Sequence, residues 1–315
     1  MRIDDQWRLL PICLALLLMA TTSAQERRAK PPTFDATDTQ GVFFPSLEEA
    51  LRGQRPTWSS VRQSSQDAAE ASVQPNNSVP SDDPNGAFGW NTILSAASIE
   101  DEVKRLKLHF DSVVTTPGAF NGGGFQDARL DLSILATLFA VIDEYSGDVR
   151  WKDQAATARD LIARTAFNCK AGSTQVYNEA KMRKADLQDL VAGSGLASRA
   201  SDPETDWSMV VDRSPLMQYA EQLAEKLKSA SRDVASAEQN AEHIRRNAQL
   251  LAMVGKVLTR EGLDEADDPD YAALSLNMTR AAVAVAEAID RGSYELGNEV
   301  GAVTQSCDAC HEQYR

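Results

Sequence analysis

The sequence predicts an all-α protein: two tandem four-helix bundles that follow a signal peptide and a disordered linker. Three observations carry this expectation. From Ser98 to the end, apolar residues recur at helical spacing, and no window alternates like a half-buried strand. Gly- and Pro-containing breaks cut that region into segments of helix length. The segments fall into two sets of four, with identities 120 residues apart in the last helices and Ile134-Leu135-Ala136 opposite Leu250-Leu251-Ala252, 116 apart, in the second helices.

Met1–Ala24 reads as a secretory signal peptide. Arg2 and Arg8 open it, although Asp4 and Asp5 cancel their charge. Leu9–Ala20 is an apolar run too short to span a bilayer comfortably, and Thr22-Ser23-Ala24 offers small residues for cleavage. Residues 25–94 read as a linker, rich in Ser, Gln, Asn, Asp and Pro, a composition that buries too little apolar surface to offset ordering. Within it, Phe43–Leu51 is suited to a short docking helix. No other stretch reads as membrane-spanning.

The first bundle is expected over residues 95–192. Ile99, Val103, Leu106 and Phe110 share one face of its first helix. Pro117 and the run Gly122-Gly123-Gly124 break the chain before a strongly apolar second helix, Phe125–Tyr145. Trp151–Phe167 and Ser173–Val191 follow. Residues 193–212 read as a polar linker. The second bundle, 213–315, contains Pro215–Ala230 with Ser214 as N-cap, Ala235–Arg260, Asp270–Asp290 and Ser293–Tyr314. Gly172-Ser173 and Asn178-Glu179 recur as Gly292-Ser293 and Asn298-Glu299, 120 residues later.

The chain has 315 residues and a formal net charge of −14, with pI ≈ 4.7. Phosphate contacts need a basic face, so nucleic acid and anionic membrane surfaces are not expected as partners. Without Cys13 of the leader, Cys169, Cys307 and Cys310 remain, which cannot form a full disulfide framework. Cys169 reads as a small buried hydrophobe.

Cys307-Asp308-Ala309-Cys310-His311 is a CxxCH motif on the last helix, the attachment signature of c-type haem. Positions three and four apart share a helix face, so both thiols and the imidazole of His311 address one ligand: two thioether anchors and an iron ligand. Zinc needs about four ligands, and only Cys169, His109 and His243 remain, without paired spacing. A thioredoxin-type CxxC would follow a strand, and none is expected here.

The run Cys307-Asp308-Ala309-Cys310-His311-Glu312-Gln313-Tyr314-Arg315 resembles the ending of the cytochrome c prime family, four-helix-bundle cytochromes with CxxCHxxYR near the C-terminus. Arg213-Ser214-Pro215-Leu216-Met217 is similar to the family's Arg-x-x-x-apolar opening of the first helix. The resemblance covers about residues 213–315. It implies that Arg213 belongs to the cofactor site and that Met217 lies on the distal side of the iron, as sixth ligand or as a wall. Met253 and Met278 rank behind Met217, and His243 is expected on a solvated face. Under the 120-residue offset, Leu187, Leu190 and Val191 stand where Cys307, Cys310 and His311 stand in the second copy, so the first bundle is expected to be haem-free. Family members pair through their first two helices; the resemblance implies that the first bundle replaces that dimer partner within one chain.

The expected protein is an exported, periplasmic mono-haem c-type cytochrome that carries single electrons to and from redox partners with a basic docking face. No catalytic residue is expected. The alternative is a five-coordinate haem protein that binds small gases such as NO or CO. A third reading, a haem-free helical scaffold for a partner protein, belongs to a different class.

Overall fold

The computed structural model describes residues 88–196 and 204–315. The expected signal peptide, Phe43–Leu51 and most of the expected N-terminal linker lie outside the described residues. All described residues belong to one compact unit, Ser78–Arg315. It is all-α, with no strand among them.

A short turn, α1 (Trp90–Ile93), precedes α2 (Ala96–Val113). The Ser95 side chain accepts from the Ser98 N–H and so caps α2. Ile99, Val103, Leu106 and Phe110 are all buried. The chain then winds through Pro117–Ala119 and a wide turn, Phe120–Gly124, into α3 (Phe125–Glu144). Gly123 has φ +147° in that turn, a conformation closed to residues with a Cβ. Every residue from Asp131 to Ile142 is buried. A helix apolar on all sides must be covered on all sides, and α3 packs against α2, against α4 (Ala155–Asn168) and against α6 (Arg213–Ala230). The fourth helix of the first set, α5 (Thr174–Ala192), is capped by Ser173 and stops at Gly193, whose φ is +85°.

In the second set, the helix expected over Ala235–Arg260 is two helices, α7 (Val234–Gln239) and α8 (Ala241–Val257). Asn240 breaks it: its backbone leaves the helical region (φ −106°, ψ 16°), and its side-chain amide donates to the Ser236 carbonyl. Next come α9 (Pro269–Asp290), capped by Asp268 with Pro269 in the first position, and α10 (Gly297–Tyr314). Contrary to the sequence reading, α9 is long and apolar enough to cross a membrane. Here it packs between α8 and α10.

Three other boundaries differ from expectation. The third helix starts at Ala155, because Trp151 turns left-handed (φ 69°) and its indole N–H donates to the Leu190 carbonyl at 3.0 Å. The N-cap of α6 is Asp212, not Ser214, and Pro215 falls within the first turn, where a missing N–H costs nothing. Residues 90–94 and 207–211, expected as linker, contribute the buried side chains Trp90, Ile93, Leu94, Trp207, Val210 and Val211.

Each set closes on itself: α2, α3, α4 and α5 in the first, α6, α8, α9 and α10 in the second. One continuous apolar core joins them. The seam also carries buried polar links. Glu102 on α2 accepts from Tyr219 of α6 at 2.6 Å and from both Nε and Nη2 of Arg105. Ser98 donates to Gln249 of α8 at 2.7 Å. The ammonium of Lys256 lies 4.3 Å from the centre of the Trp90 ring, and the Trp90 indole donates to Glu144 at 2.8 Å.

Two predictions arise from this packing. At Gly255, α8 meets α9 so closely that an added Cβ would lie 2.5 Å from Thr279 Oγ1 and 2.8 Å from the Ser275 carbonyl. Gly255→Ala is therefore expected to destabilise the protein by about 1–3 kcal/mol through overpacking, read as a lowered denaturant midpoint.

The second concerns Asp131, buried on α3 and 2.7 Å from His109 Nδ1. Burial raises its carboxyl pKa from the usual range to about 6, with His109 and Arg105 opposing. The native state then holds a proton that the unfolded chain releases near pH 4. This contribution is present below pH 4 and lost as pH rises towards 6. Asp131→Asn is expected to flatten the fall in stability between pH 4 and 6, measured by urea unfolding at both ends of that window.

Candidate functional site

Five residues singled out from the sequence line one cavity of about 570 Å³: Arg213, Met217, Cys307, Cys310 and His311. Cofactor pockets of roughly 300 to 1,000 Å³ are usual. Three helices of the second set each present one face to it. From α6 come Arg213, Met217, Ala220 and Ala224, at turn-by-turn spacing. From α9 come Tyr271, Ser275 and Met278. From α10 come Thr304, Cys307, Cys310, His311 and Tyr314, so CxxCH faces the helix that bears Met217.

The last turn of α10 is held in place. Tyr314 donates its hydroxyl to Asp268 at 2.8 Å, at the N-cap of α9. Its ring meets Tyr271 edge to face, with centroids 5.1 Å apart. The bond to Asp268 pushes the Tyr314 phenol up to about 12 and lowers the Asp268 carboxyl. Burial raises the thiol pKa of both Cys307 and Cys310; Ser306 opposes this at Cys307, and Arg213 opposes it at Cys310. The two cysteines are free, half-buried and held as thiols at neutral pH.

Arg213 answers whether a haem fits here. Its Nη1 makes no hydrogen bond and is held only by a long ion pair to Glu265 at 3.9 Å, while the side chain also bonds Tyr271 on the same wall and there opposes the rise that burial gives the phenol. A guanidinium at a cavity wall whose Nη1 makes no hydrogen bond and whose carboxylate partner is this distant suits an anionic group such as a haem carboxylate. Ser275 Oγ on the same wall is buried without a partner. Thiols three residues apart, a histidine beside them, apolar side chains and a weakly paired cationic donor are together a donor set that suits covalent haem. Among the described residues, no three His, Cys, Asp or Glu side chains converge as a site for a bare metal ion.

The remaining candidates fall elsewhere. His243 is exposed on α8, with Nδ1 2.9 Å from Arg246. His109 is half exposed on α2 and paired with Asp131. Met253 is fully buried away from the cavity, and Cys169 is buried in the first set. Met278, ranked behind Met217 in the sequence, is buried and lines the cavity. Tyr271 and Ser275 escaped the sequence reading, although Tyr271, Ser275 and Met278 recur at the spacing of one helix face.

In the first set, the positions offset from CxxCH are closed. Leu187 and Leu190 are 1% exposed, and the space beside them is about 10 Å³. That is at the lower limit for a single water. The cavity beside Cys307 and Cys310 in the second set measures about 570 Å³.

Comparisons with protein-family models, curated proteins and solved structures returned no match to this chain. Its class therefore rests on the all-α fold and on the chemistry of this cavity.

Proposed function

We propose that the protein is an exported mono-haem c-type cytochrome of the cytochrome c prime kind, which carries single electrons. The observation that carries this reading is the convergence of Cys307, Cys310 and His311 with Met217 and Arg213 on one cavity. Cys307 and Cys310 would hold the cofactor covalently through their sulfurs as thioethers. His311 would hold the iron through a ring nitrogen, and Met217 on α6 would supply a thioether sulfur. Arg213 would pair a haem carboxylate. When bound, haem supplies a one-electron couple, and His/Met ligation raises its potential. The apolar side chains of α6 and α9 limit water at the site. The net charge of −14 steers a basic partner towards the protein.

The test is an optical spectrum of the purified mature protein, oxidised and reduced, with and without CO. A six-coordinate, low-spin spectrum that ignores CO is expected. Met217→Ala is expected to convert it to one that responds to CO. A wild-type spectrum that shifts with CO would overturn methionine ligation and favour the gas-binding reading.

A further inference from the structure

A second cavity lies at the seam, and its chemistry runs against the acidity of the chain. It measures about 840 Å³ and is walled by α2, by the end of α6 and by the start of α8. Arg105, Lys226, Arg232 and Arg246 line it, together with His243 and the amides of Gln239 and Asn247. Its two lining carboxylates are already engaged. Glu102 accepts from Arg105 and Tyr219, and Glu225 accepts from Lys228 at 3.1 Å. Arg232 and Arg246 have side partners in Asp233 and Asp101, at 3.3 and 3.4 Å. Lys226 has no ion-pair partner among the described residues.

Lys226 therefore stands among cations. Desolvation, then Arg105 and then Arg246, hold its amine below the ordinary lysine value, with Glu102 opposing. Arg246 also fixes the tautomer of His243. A guanidinium only donates, so Nδ1 of His243 accepts from Arg246 at 2.9 Å and the ring proton sits on Nε2. Ammonium, guanidinium, ring N–H and amide donors thus gather around a space larger than one inorganic ion needs.

From this juxtaposition we propose that the groove binds a small phosphate-bearing molecule, with Lys226 and Arg246 as its principal anchors. An anion relieves the crowding of Lys226 by Arg105 and Arg246. The point charge of Lys226 is a usual donor to phosphate oxygens, and Arg246 can turn a guanidinium N–H to the same anion by giving up its long 3.4 Å contact with Asp101. The groove shares Glu225 with the cavity that CxxCH lines, but Arg105, Lys226, Arg232 and Arg246 line the groove alone.

Isothermal titration of the mature protein with pyrophosphate tests this. Saturable one-to-one binding is expected. Lys226→Gln and Arg246→Gln are each expected to weaken it about tenfold or more, while Lys181→Gln, an exposed cation on α5 outside the groove, leaves it unchanged. Helical content of the variants is checked by circular dichroism. Absence of saturable binding would overturn the proposal, as would equal weakening by Lys181→Gln. Citrate binding as tightly as pyrophosphate would overturn the assignment to phosphate.

Discussion

Replacing both Cys307 and Cys310 by alanine is expected to abolish covalent haem completely. After expression with a working c-haem maturation system, the denatured variant should carry no haem through gel electrophoresis or acid-acetone extraction, while the wild type retains it. Each single variant should retain one thioether. The expectation follows from placement. Both thiols lie on the cavity face of α10, both are half-buried, and neither is in a disulfide. The anchoring helix is itself fixed at its end by Tyr314 against Asp268. Haem that survives denaturation of the double variant would mean that another nucleophile makes the link.

The second large effect concerns the seam. Glu102→Ala is expected to destabilise the protein by about 2–4 kcal/mol. Glu102 is 2% exposed. Its removal leaves the fully buried Tyr219 hydroxyl without its acceptor and Arg105 without its bidentate partner. Arg105 is 41% exposed along its side chain, so water relieves part of that cost. Tyr219 lies on α6, the helix that also presents Met217 to the cavity. The loss is therefore expected to appear in two readouts. Urea unfolding should show a lower midpoint, and the haem spectrum should become more sensitive to CO as α6 loosens. A midpoint within about 0.5 kcal/mol of wild type would show that the two sets of helices do not depend on this link.

Periodicity made the helices legible because amphipathic faces leave a direct trace. Ile99, Val103, Leu106 and Phe110 fall on one buried face of α2, as their spacing requires. The same logic was ambiguous for α3. Its run of apolar residues announced burial, but not that a helix of the second set covers its remaining side. The break at Asn240 escaped because the apolar pattern continues through it. What breaks the helix is a local side-chain bond to Ser236, which competes with the ladder. The seam was least legible. Trp90, Trp207 and Val210 sit in segments of polar, linker-like composition, and isolated apolar residues there carry no period.

The candidate site was legible where chemistry demands fixed spacing. Cys307, Cys310 and His311 could be named because three- and four-residue steps define one helix face. Arg213 and Met217 came only from a family resemblance, and the structure places them on the same cavity. Tyr271, Ser275 and Met278 were missed as a group because a wall of a cavity has no sequence signature apart from that of a core. The basic groove was hidden for a different reason. Arg105 and Lys226 are 121 residues apart in the chain, and only the packing of α2 beside α6 brings them together.

The most direct test of the central claim is the intact mass of the mature protein after expression with c-haem maturation. The account predicts the polypeptide plus one covalently bound haem, with the haem mapped to the peptide containing Cys307 and Cys310. The mass of the bare polypeptide, with both thiols free to react with an alkylating reagent, would contradict it.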